Sequence, residues 1–232
     1  MILFDGVALE TIAPVRIEDI RVGPVELSPV SRPRAINAGS DFVRMRCGTR
    51  TVAVTFGLQR ENKITRQAAL LAVSEWAKTD KEYRLELPLY ADKHLQCVCT
   101  GKPEPSFRQW WEAKLRLAFT CFENPFWTSN EEKSAACGSA FYVLGNAAPL
   151  MKITRTLDAA ATNQSYSNGS ETITLSEIPA GDLTIDLNRQ TIDVGGVSIM
   201  DKYTVASSFL IPKTGSQTIT GTGSVKWRER WQ

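Results

Sequence analysis

The sequence predicts a mainly β protein made of two domains, with one amphipathic helix in the first domain. Apolar and polar residues alternate with a period of two along most of the 232 residues, which is the pattern of half-buried strands. Residues 65–78 show a helical period instead. Beyond residue 128 a polar segment leads into short alternating runs that turn residues separate, as in a β-sandwich. We therefore place one domain at residues 1–128 and a second at 129–232.

The strands of the first domain follow from alternation and from turn chemistry. Residues 2–9 predict a hairpin because Asp5-Gly6 supplies its turn. Residues 28–40 are rich in Pro, Ser, Gly and Arg and predict a long loop. The clearest strand is 111–122, where an apolar residue stands at every second position from Trp111 to Cys121. The remaining strands are predicted at 15–27, 42–47, 51–58, 83–87 and 95–100.

The segment from Thr65 to Lys78 breaks the strand pattern and predicts a helix. It contains good helix formers without Gly or Pro, and Thr65 is an acceptable N-cap. Its apolar residues fall on one stripe, so we expect the helix to lie across a sheet, with Trp76 as the aromatic residue that anchors it. The members of the stripe are Ala69, Leu70, Val73, Trp76 and Ala77.

The second domain is predicted as eight short strands. Residues 128–139 are small and polar and predict a connecting segment. Gly, Asn and Asp residues then mark a turn about every ten residues, which favours a β-sandwich. The runs are 140–144, 149–157, 171–178, 182–187, 190–194, 197–200, 203–211 and 217–227.

Charge and composition exclude several classes of protein. The 27 basic and 25 acidic residues give a net charge of +2, which argues against a protein that coats nucleic acid. We find neither a secretory signal at the first residues nor an apolar stretch of the ~20 residues that a membrane helix needs. The cysteines predict free thiols in a protein made in a reducing cytoplasm, because no pair has the CxxC spacing and the chain has a single histidine, His94. We expect no metal and no cofactor.

The sequence holds no signature of an enzyme. Nucleotide-binding glycine loops, HExxH and GxSxG are all missing. His94 follows polar residues between two strands, which predicts a solvated turn and not a catalytic base. Asp182 and Asp186 are a formal carboxylate pair, but their spacing is also that of the solvent face of one strand, which is the interpretation we favour.

Two features indicate interaction surfaces. A cluster of arginines with a single acid, Asp41, fits either an exposed face with counter-ions or a surface that contacts a subunit or nucleic acid. The strand Trp227–Trp231 alternates aromatic and charged residues, which fits either the stacking of sugars or the packing of an edge strand. A carbohydrate-binding protein for host-surface glycans is therefore the alternative function. The arginines of the cluster are Arg32, Arg34, Arg44, Arg46 and Arg50.

The first 128 residues resemble the N-terminal domain of siphophage distal tail (Dit) proteins. The resemblance lies in the strand Arg50–Leu58, the helix end Val73–Trp76 and the strand and turn Ala113–Phe126, in that order. The sequence departs from the family pattern at Asn124, where an Asp is more usual, and at Ala38–Phe42, which replaces a Gly-rich stretch. Beyond residue 128 the resemblance is one of architecture.

The resemblance implies a virion protein and not an enzyme. It implies an N-terminal split β-barrel with one helix that forms a hexameric ring, and a peripheral galectin-like β-sandwich. The ring would join the tail tube protein to a tail-tip hub or lysin-type protein and leave a channel for DNA. The sandwich would hold receptor-binding or baseplate proteins, and the tail would be assembled in the host cytoplasm, without contact to a membrane.

We expect the arginine cluster to lie at subunit contacts or on a docking face of such a ring. A lumen lined with arginines would bind the phosphates of passing DNA and slow its transit. Arginine suits a subunit contact because its planar fork grips a carboxylate in a bidentate manner. Suitable acids in the sequence are Glu18, Asp19 and Asp41.

Overall fold

The computed structural model describes residues 1–33, 40–59, 63–101, 104–109, 112–204 and 206–232. The chain is mainly β. It divides into two compact units, of which unit 1 comprises Met1–Trp127 with Gln232 and unit 2 comprises Thr128–Trp231. In the described ranges, helices are too short or too polar to cross a membrane.

Unit 1 is built on antiparallel strands that pair in the order β2-β1-β7-β8-β10-β6-β3. Strand β6 covers one side of β10 along its length, and β9 and β8 share the other side. Strands β4 and β5 pair with each other in a separate ribbon. The elements of unit 1 are β1 (Leu3–Phe4), β2 (Val7–Ala8), α1 (Leu9–Ile12), β3 (Val15–Val22), β4 (Leu27–Pro33), β5 (Ser40–Cys47), β6 (Arg50–Gln59), α2 (Lys63–Trp76), β7 (Tyr83–Glu86), β8 (Lys93–Cys99), β9 (Glu104–Gln109) and β10 (Glu112–Cys121).

The core of unit 1 is centred on the pairing of β6 with β10. The register runs without a break from Arg50 opposite Cys121 to Gln59 opposite Glu112. Apolar side chains alternate along both strands, and those on one face are almost completely buried. This confirms the strand predicted at 111–122, although Trp111 lies outside the described residues. The buried residues of the pair are Val52, Val54, Phe56, Leu58, Ala113, Leu115, Leu117 and Phe119.

The first hairpin confirms the turn predicted at Asp5-Gly6. Asp5 has φ 51° and Gly6 has φ 76°, so both central residues adopt the left-handed conformation. A two-residue hairpin turn requires this backbone because it matches the twist of the flanking strands. The hairpin brings the Val7 carbonyl to the end of α2.

Helix α2 packs with its predicted stripe toward the core. It runs from Lys63 to Trp76, two residues earlier at each end than the sequence predicts. Trp76 is half-buried, and its indole N–H donates a hydrogen bond of 3.1 Å to the Val7 carbonyl oxygen. Its ring lies edge-on to Phe4 and Phe119, with centroids 5.6 and 6.4 Å away. These contacts join the helix, the first hairpin and β10.

The long loop predicted at 28–40 is wrong for residues 28–33, because Leu27–Pro33 forms β4 and pairs with β5, while residues 34–39 lie outside the described residues. The prediction took Pro29 and Pro33 as signs of a loop. Proline lacks the N–H that a ladder needs, but an edge strand tolerates it on its unpaired side. Among the described strands β4 pairs with β5 only, so one of its edges is free for these prolines.

His94 is not in a solvated turn, which corrects the sequence-based expectation. It is the second residue of β8 and is only 5% exposed. The polar turn ends at Asp92, and His94 is buried although it lies on the face of β8 opposite Leu95 and Cys97, so alternation along the strand does not predict its burial. Helix α1 and strand β9 were not anticipated, since neither spans enough residues to show a clear period.

Unit 2 contains a sheet with strand order β19-β18-β17-β14-β21-β12, the hairpin β15–β16, and a second two-stranded pair, β13–β20, whose strands are distant in sequence. The sheet and both two-stranded pairs contribute side chains to one core, for example Ile153, Tyr166, Phe141 and Val225. The galectin-like sandwich and the split barrel of unit 1 stay predictions. The elements are β11 (Trp127–Ser129), β12 (Lys133–Ala136), β13 (Ala140–Val143), β14 (Ala147–Leu157), β15 (Ala161–Ser167), β16 (Thr172–Ile178), β17 (Gly181–Asp186), β18 (Thr191–Val194), β19 (Val197–Ser198), a 3-10 turn (Met200–Lys202), β20 (Gly215–Thr218) and β21 (Ser224–Trp231).

Three predictions for unit 2 are wrong. The predicted connecting segment 128–139 contains strand β12, and the strand β15 was not predicted. The single strand predicted at 217–227 is divided between β20 and β21 by residues 219–223. The described residues of 203–211 form no strand. Instead the Ser207 N–H donates to the Thr204 carbonyl oxygen at 3.0 Å, and the two hydroxyl oxygens lie 2.7 Å apart, so these residues close a turn.

A buried glutamate joins three parts of unit 2. Glu229 of β21 accepts hydrogen bonds from Lys133 Nζ at 2.9 Å and from the Leu144 N–H at 3.0 Å. The Glu229 N–H donates to Ser129 Oγ at 3.1 Å. The carboxylate is almost fully buried, while the Lys133 side chain is 36% exposed. The negative charge of the Glu229 carboxylate is therefore desolvated, and the hydrogen bonds from Lys133 and Leu144 stabilise it.

Replacement of Trp76 tests the packing of α2. We expect Trp76→Ala to lower the free energy of unfolding by about 3–5 kcal/mol, because it removes both the ring contacts and the hydrogen bond to Val7. Trp76→Phe keeps a ring and should cost about 1–2 kcal/mol. Urea denaturation measures both. The control is Leu71→Ala on the same helix, because Leu71 is 64% exposed and should change stability by less than about 0.5 kcal/mol.

Glu229→Ala tests the buried carboxylate. The change leaves the Leu144 N–H and the Lys133 ammonium without an acceptor, so we expect a loss of about 2–4 kcal/mol, less than for a fully buried pair because Lys133 is partly exposed. The control is Glu132→Ala, which breaks the more exposed Lys152–Glu132 pair of 3.1 Å and should cost less than about 1 kcal/mol. Equal losses in the two variants would contradict the role of burial.

Candidate interaction surface

The β4–β5 ribbon has one basic and one apolar face. Arg46 lies opposite Ser28 and Arg44 opposite Val30, so both arginines share a face, and both are exposed. On the other face Leu27 is 53% exposed and Met45 is 48% exposed. The ribbon therefore presents charge on one side and apolar side chains on the other.

The structure brings only part of the arginine cluster together. Arg32 is exposed on β4, opposite Asp41 in register, beyond a bulge between Val30 and Ser31. Arg34 lies outside the described residues. Thus Arg32, Arg44 and Arg46 belong to the ribbon, and Arg50 belongs to the sheet.

A ribbon of this kind indicates an interaction surface. Two strands alone are at best marginally stable in water, and within the described part of the chain β4 and β5 pair only with each other. An apolar face left in solvent indicates a surface that another element or subunit covers. The free strand edges also favour an interaction surface, because they offer unpaired N–H and C=O groups to another strand.

Arg50 differs from the other arginines because it is buried. It is the first residue of β6 and is only 4% exposed. Its Nε and Nη1 atoms are buried, and no described residue provides them with a hydrogen-bond acceptor. Burial lowers the pKa of the guanidinium, and the neighbouring Cys121 and Tyr90 oppose that shift. Alternation along β6 places Arg50 on the same face as the buried Val52 and Val54, a signal that is overlooked when the arginines are grouped by their closeness in sequence.

The acids expected beside the cluster are paired elsewhere. Glu18 Oε2 lies 2.6 Å from Lys114 Nζ, and Asp19 Oδ2 lies 2.6 Å from Arg21 Nε. The side chain of Asp41 lies outside the described residues. The pairing of the cluster arginines with acids of another subunit therefore stays a prediction.

The aromatic strand of unit 2 is neither a sugar platform at Trp227 nor an edge strand. Trp227 is buried, and its ring stacks on Phe141 with centroids 4.6 Å apart. Strand β21 lies between β14 and β12. Both sequence interpretations are wrong for Trp227, because its ring is buried against Phe141 and because β21 is paired on both sides.

The carboxylate pair of unit 2 has a local structural role. Asp182 accepts a hydrogen bond from Thr156 Oγ1 at 2.7 Å, and Asp186 accepts from the backbone N–H groups of Asn188 and Arg189. Leu183 and Ile185 between them are buried. The two acids therefore lie on the polar face of β17, as the spacing predicts.

The cysteines of unit 1 are reduced thiols. Cys97 on β8 contacts Cys121 on β10, and the hydrogen bond that the Cys97 thiol donates to Cys121, together with burial, raises the pKa of the Cys97 thiol. The thiol is thus held in its neutral form. In the described ranges, no three His, Cys, Asp or Glu residues are grouped so that they could hold a metal ion.

Comparison with known proteins defines the fold. No family model and no curated protein matches the chain. The crystal structure of SPP1 Dit aligns with 100% of this chain and 98% of its own, with a TM-score of 0.75 at 14% identity. The chain has the Dit fold. SPP1 Dit is described as a paradigm of the hub adsorption apparatus in phages that infect Gram-positive bacteria.

Two phage P2 baseplate structures are more distant. The activated conformation with Ca aligns with 96% of this chain and 92% of its own, with a TM-score of 0.47 and 8% identity. The activated conformation with Sr aligns with 94% and 91%, with a TM-score of 0.44 and 9% identity.

The Dit fold accommodates the departure at Asn124. The Asn124 side-chain oxygen accepts a hydrogen bond of 3.4 Å from the Phe126 N–H, across Pro125. An aspartate in this place offers the same acceptor, because Asn and Asp both form this turn. The substitution therefore preserves the turn that ends β10.

Proposed function

We propose that this chain is a structural subunit of a bacteriophage tail, which forms a hexameric ring between the tail tube and the tail tip or baseplate and leaves a channel for DNA. The observation that carries the proposal is the fold. The whole chain aligns with SPP1 Dit, a protein of a hub adsorption apparatus, at a TM-score of 0.75. The agreement includes both units and not one alone.

The exposed surfaces of unit 1 support self-assembly. The β4–β5 ribbon leaves Leu27 and Met45 exposed to solvent, and β3 is an edge strand of its sheet among the described strands. A closed ring covers such apolar faces and strand edges in every subunit at once. A monomer would leave them open to uncontrolled association.

The proposal extends to partners and location. Unit 1 would contact further copies of the chain, the tail tube protein and a tail-tip hub or lysin-type protein, and DNA would only pass through. Unit 2 would lie at the periphery and hold receptor-binding or baseplate proteins. The chain would be assembled in the host cytoplasm and become part of the virion tail, and it would have no enzymatic activity.

The ring is tested by the size and symmetry of the purified chain. We expect light scattering to give six times the subunit mass of 25.7 kDa, and negative-stain microscopy to show six-fold rings with a central hole. Residues 1–128 alone should assemble, and residues 130–232 should stay monomeric. A monomeric full chain across a wide concentration series, or assembly by residues 130–232 alone, would contradict the proposal.

Charge reversal on the ribbon tests where its arginines lie. In the double variant Arg44→Glu and Arg46→Glu we expect rings to dissociate while the circular dichroism of each subunit is unchanged, because both side chains are exposed within the subunit. The control is Arg189→Glu with Lys213→Glu, which makes the same charge change on exposed residues of unit 2 and should leave rings intact. Intact ribbon-variant rings with weaker DNA binding would instead place the arginines in the channel.

A further inference from the structure

Arg50 lines a pocket of unit 1 that has no charge to balance it. The pocket has a volume of about 590 Å³ and lies beside the segment from Ile20 to Leu27 and the turn at Leu89-Tyr90. Most of its lining is apolar, and no Asp or Glu side chain is among the described residues that form it. The apolar side chains include Val22, Pro24, Val25 and Trp127.

Two of the three guanidinium nitrogens of Arg50 have no acceptor among the described residues. These are Nε and Nη1, and both are buried. Glu26, whose backbone binds the turn just before Arg50, directs its carboxylate to Thr49 Oγ1 at 2.9 Å instead. A buried cation without an acceptor destabilises the folded chain. The N–H groups of Arg50 are therefore available as hydrogen-bond donors to an acceptor from another molecule.

The chemistry of the pocket specifies that acceptor. A guanidinium binds a carboxylate through two parallel N–H donors, and exclusion of water strengthens the pair. Apolar walls favour a carboxylate that an apolar segment carries over a free, hydrated anion. The occupant is thus an Asp or Glu side chain with apolar neighbours.

The pocket is continuous with the surface that the proposed ring would bury. Leu27 lines the pocket and also lies on the exposed apolar face of the ribbon. The chain itself offers matching groups: on α2, exposed Leu71 lies one turn before exposed Glu75. The Glu75 carboxylate has no hydrogen bond or ion pair to any described residue of its own subunit.

We infer that the Arg50 pocket receives a carboxylate side chain from a second copy of this chain. The inference rests on the proposed ring, and it adds a specific contact that stabilises the interface between neighbouring subunits. It assigns to Arg50 a role distinct from that of Arg44 and Arg46, since its partner must enter a pocket and cannot simply approach an exposed face.

The test is a substitution that separates the stability of the subunit from the stability of the ring. Arg50→Met keeps the length of the side chain and removes its charge. We expect the Tm of the dilute, unassembled chain to rise, because an unpaired buried cation is gone, while self-association measured by analytical ultracentrifugation weakens at least tenfold. Arg50→Lys keeps the charge without the fork and should weaken association as well. Arg189→Met on exposed unit 2 surface should change neither quantity.

The outcomes distinguish this inference from the proposed function. A lower Tm in Arg50→Met would mean that the chain itself satisfies Arg50, and would overturn the inference. A higher Tm with undiminished association would exclude a second copy as the source of the carboxylate, and would also overturn it. A wild-type chain that never self-associates contradicts the ring, whereas rings that Arg50→Met leaves intact contradict the pocket assignment alone.

Discussion

The pairing of β6 with β10 is the contact on which the rest of unit 1 depends. Its unbroken register puts Val52 opposite Phe119, and the rings of Phe4 and Trp76 pack on Phe119. Helix α2 and the first hairpin therefore take their positions from this ladder. A slip by one residue would turn every buried side chain of the pair to the other face, so the apolar alternation of both strands also fixes the register.

The same ladder explains why neighbouring arginines have different environments. Arg46 and Arg50 are separated by the turn at Gly48, but Arg46 lies on a ribbon with no further strand, whereas Arg50 begins a strand that β3 and β10 flank. Arg50 lies on the same face of β6 as the buried Val52 and is only 4% exposed, whereas the ribbon arginines are exposed. A charge cluster that is continuous in sequence is therefore divided between an exposed surface and a pocket.

The sequence was sufficient where the structural signal is local. The strand ending at Cys121 and the helix ending at Trp76 show their periods within one segment, and both lie within about two residues of the predicted bounds. The sequence was insufficient where distant strands decide. His94 is buried on the face of β8 opposite Leu95 and Cys97, and Trp227 is buried against Phe141, which is distant in sequence. Neither burial can be predicted from the residues that are close to His94 or Trp227 in the sequence.

The central position of β21 has a consequence for how unit 2 forms during synthesis. Ser224–Trp231 completes the sheet between β14 and β12, and Glu229 binds back to Lys133 and Leu144. A growing chain thus carries an unfilled gap in this sheet until β21 leaves the ribosome, because β12 and β14 are synthesised earlier, and such long-range pairing is slow. Unit 1, with all its strands upstream, can complete its own ladder earlier. Folding from the ribosome would therefore proceed in two stages, and the partly formed second unit is the stage that is most exposed to aggregation.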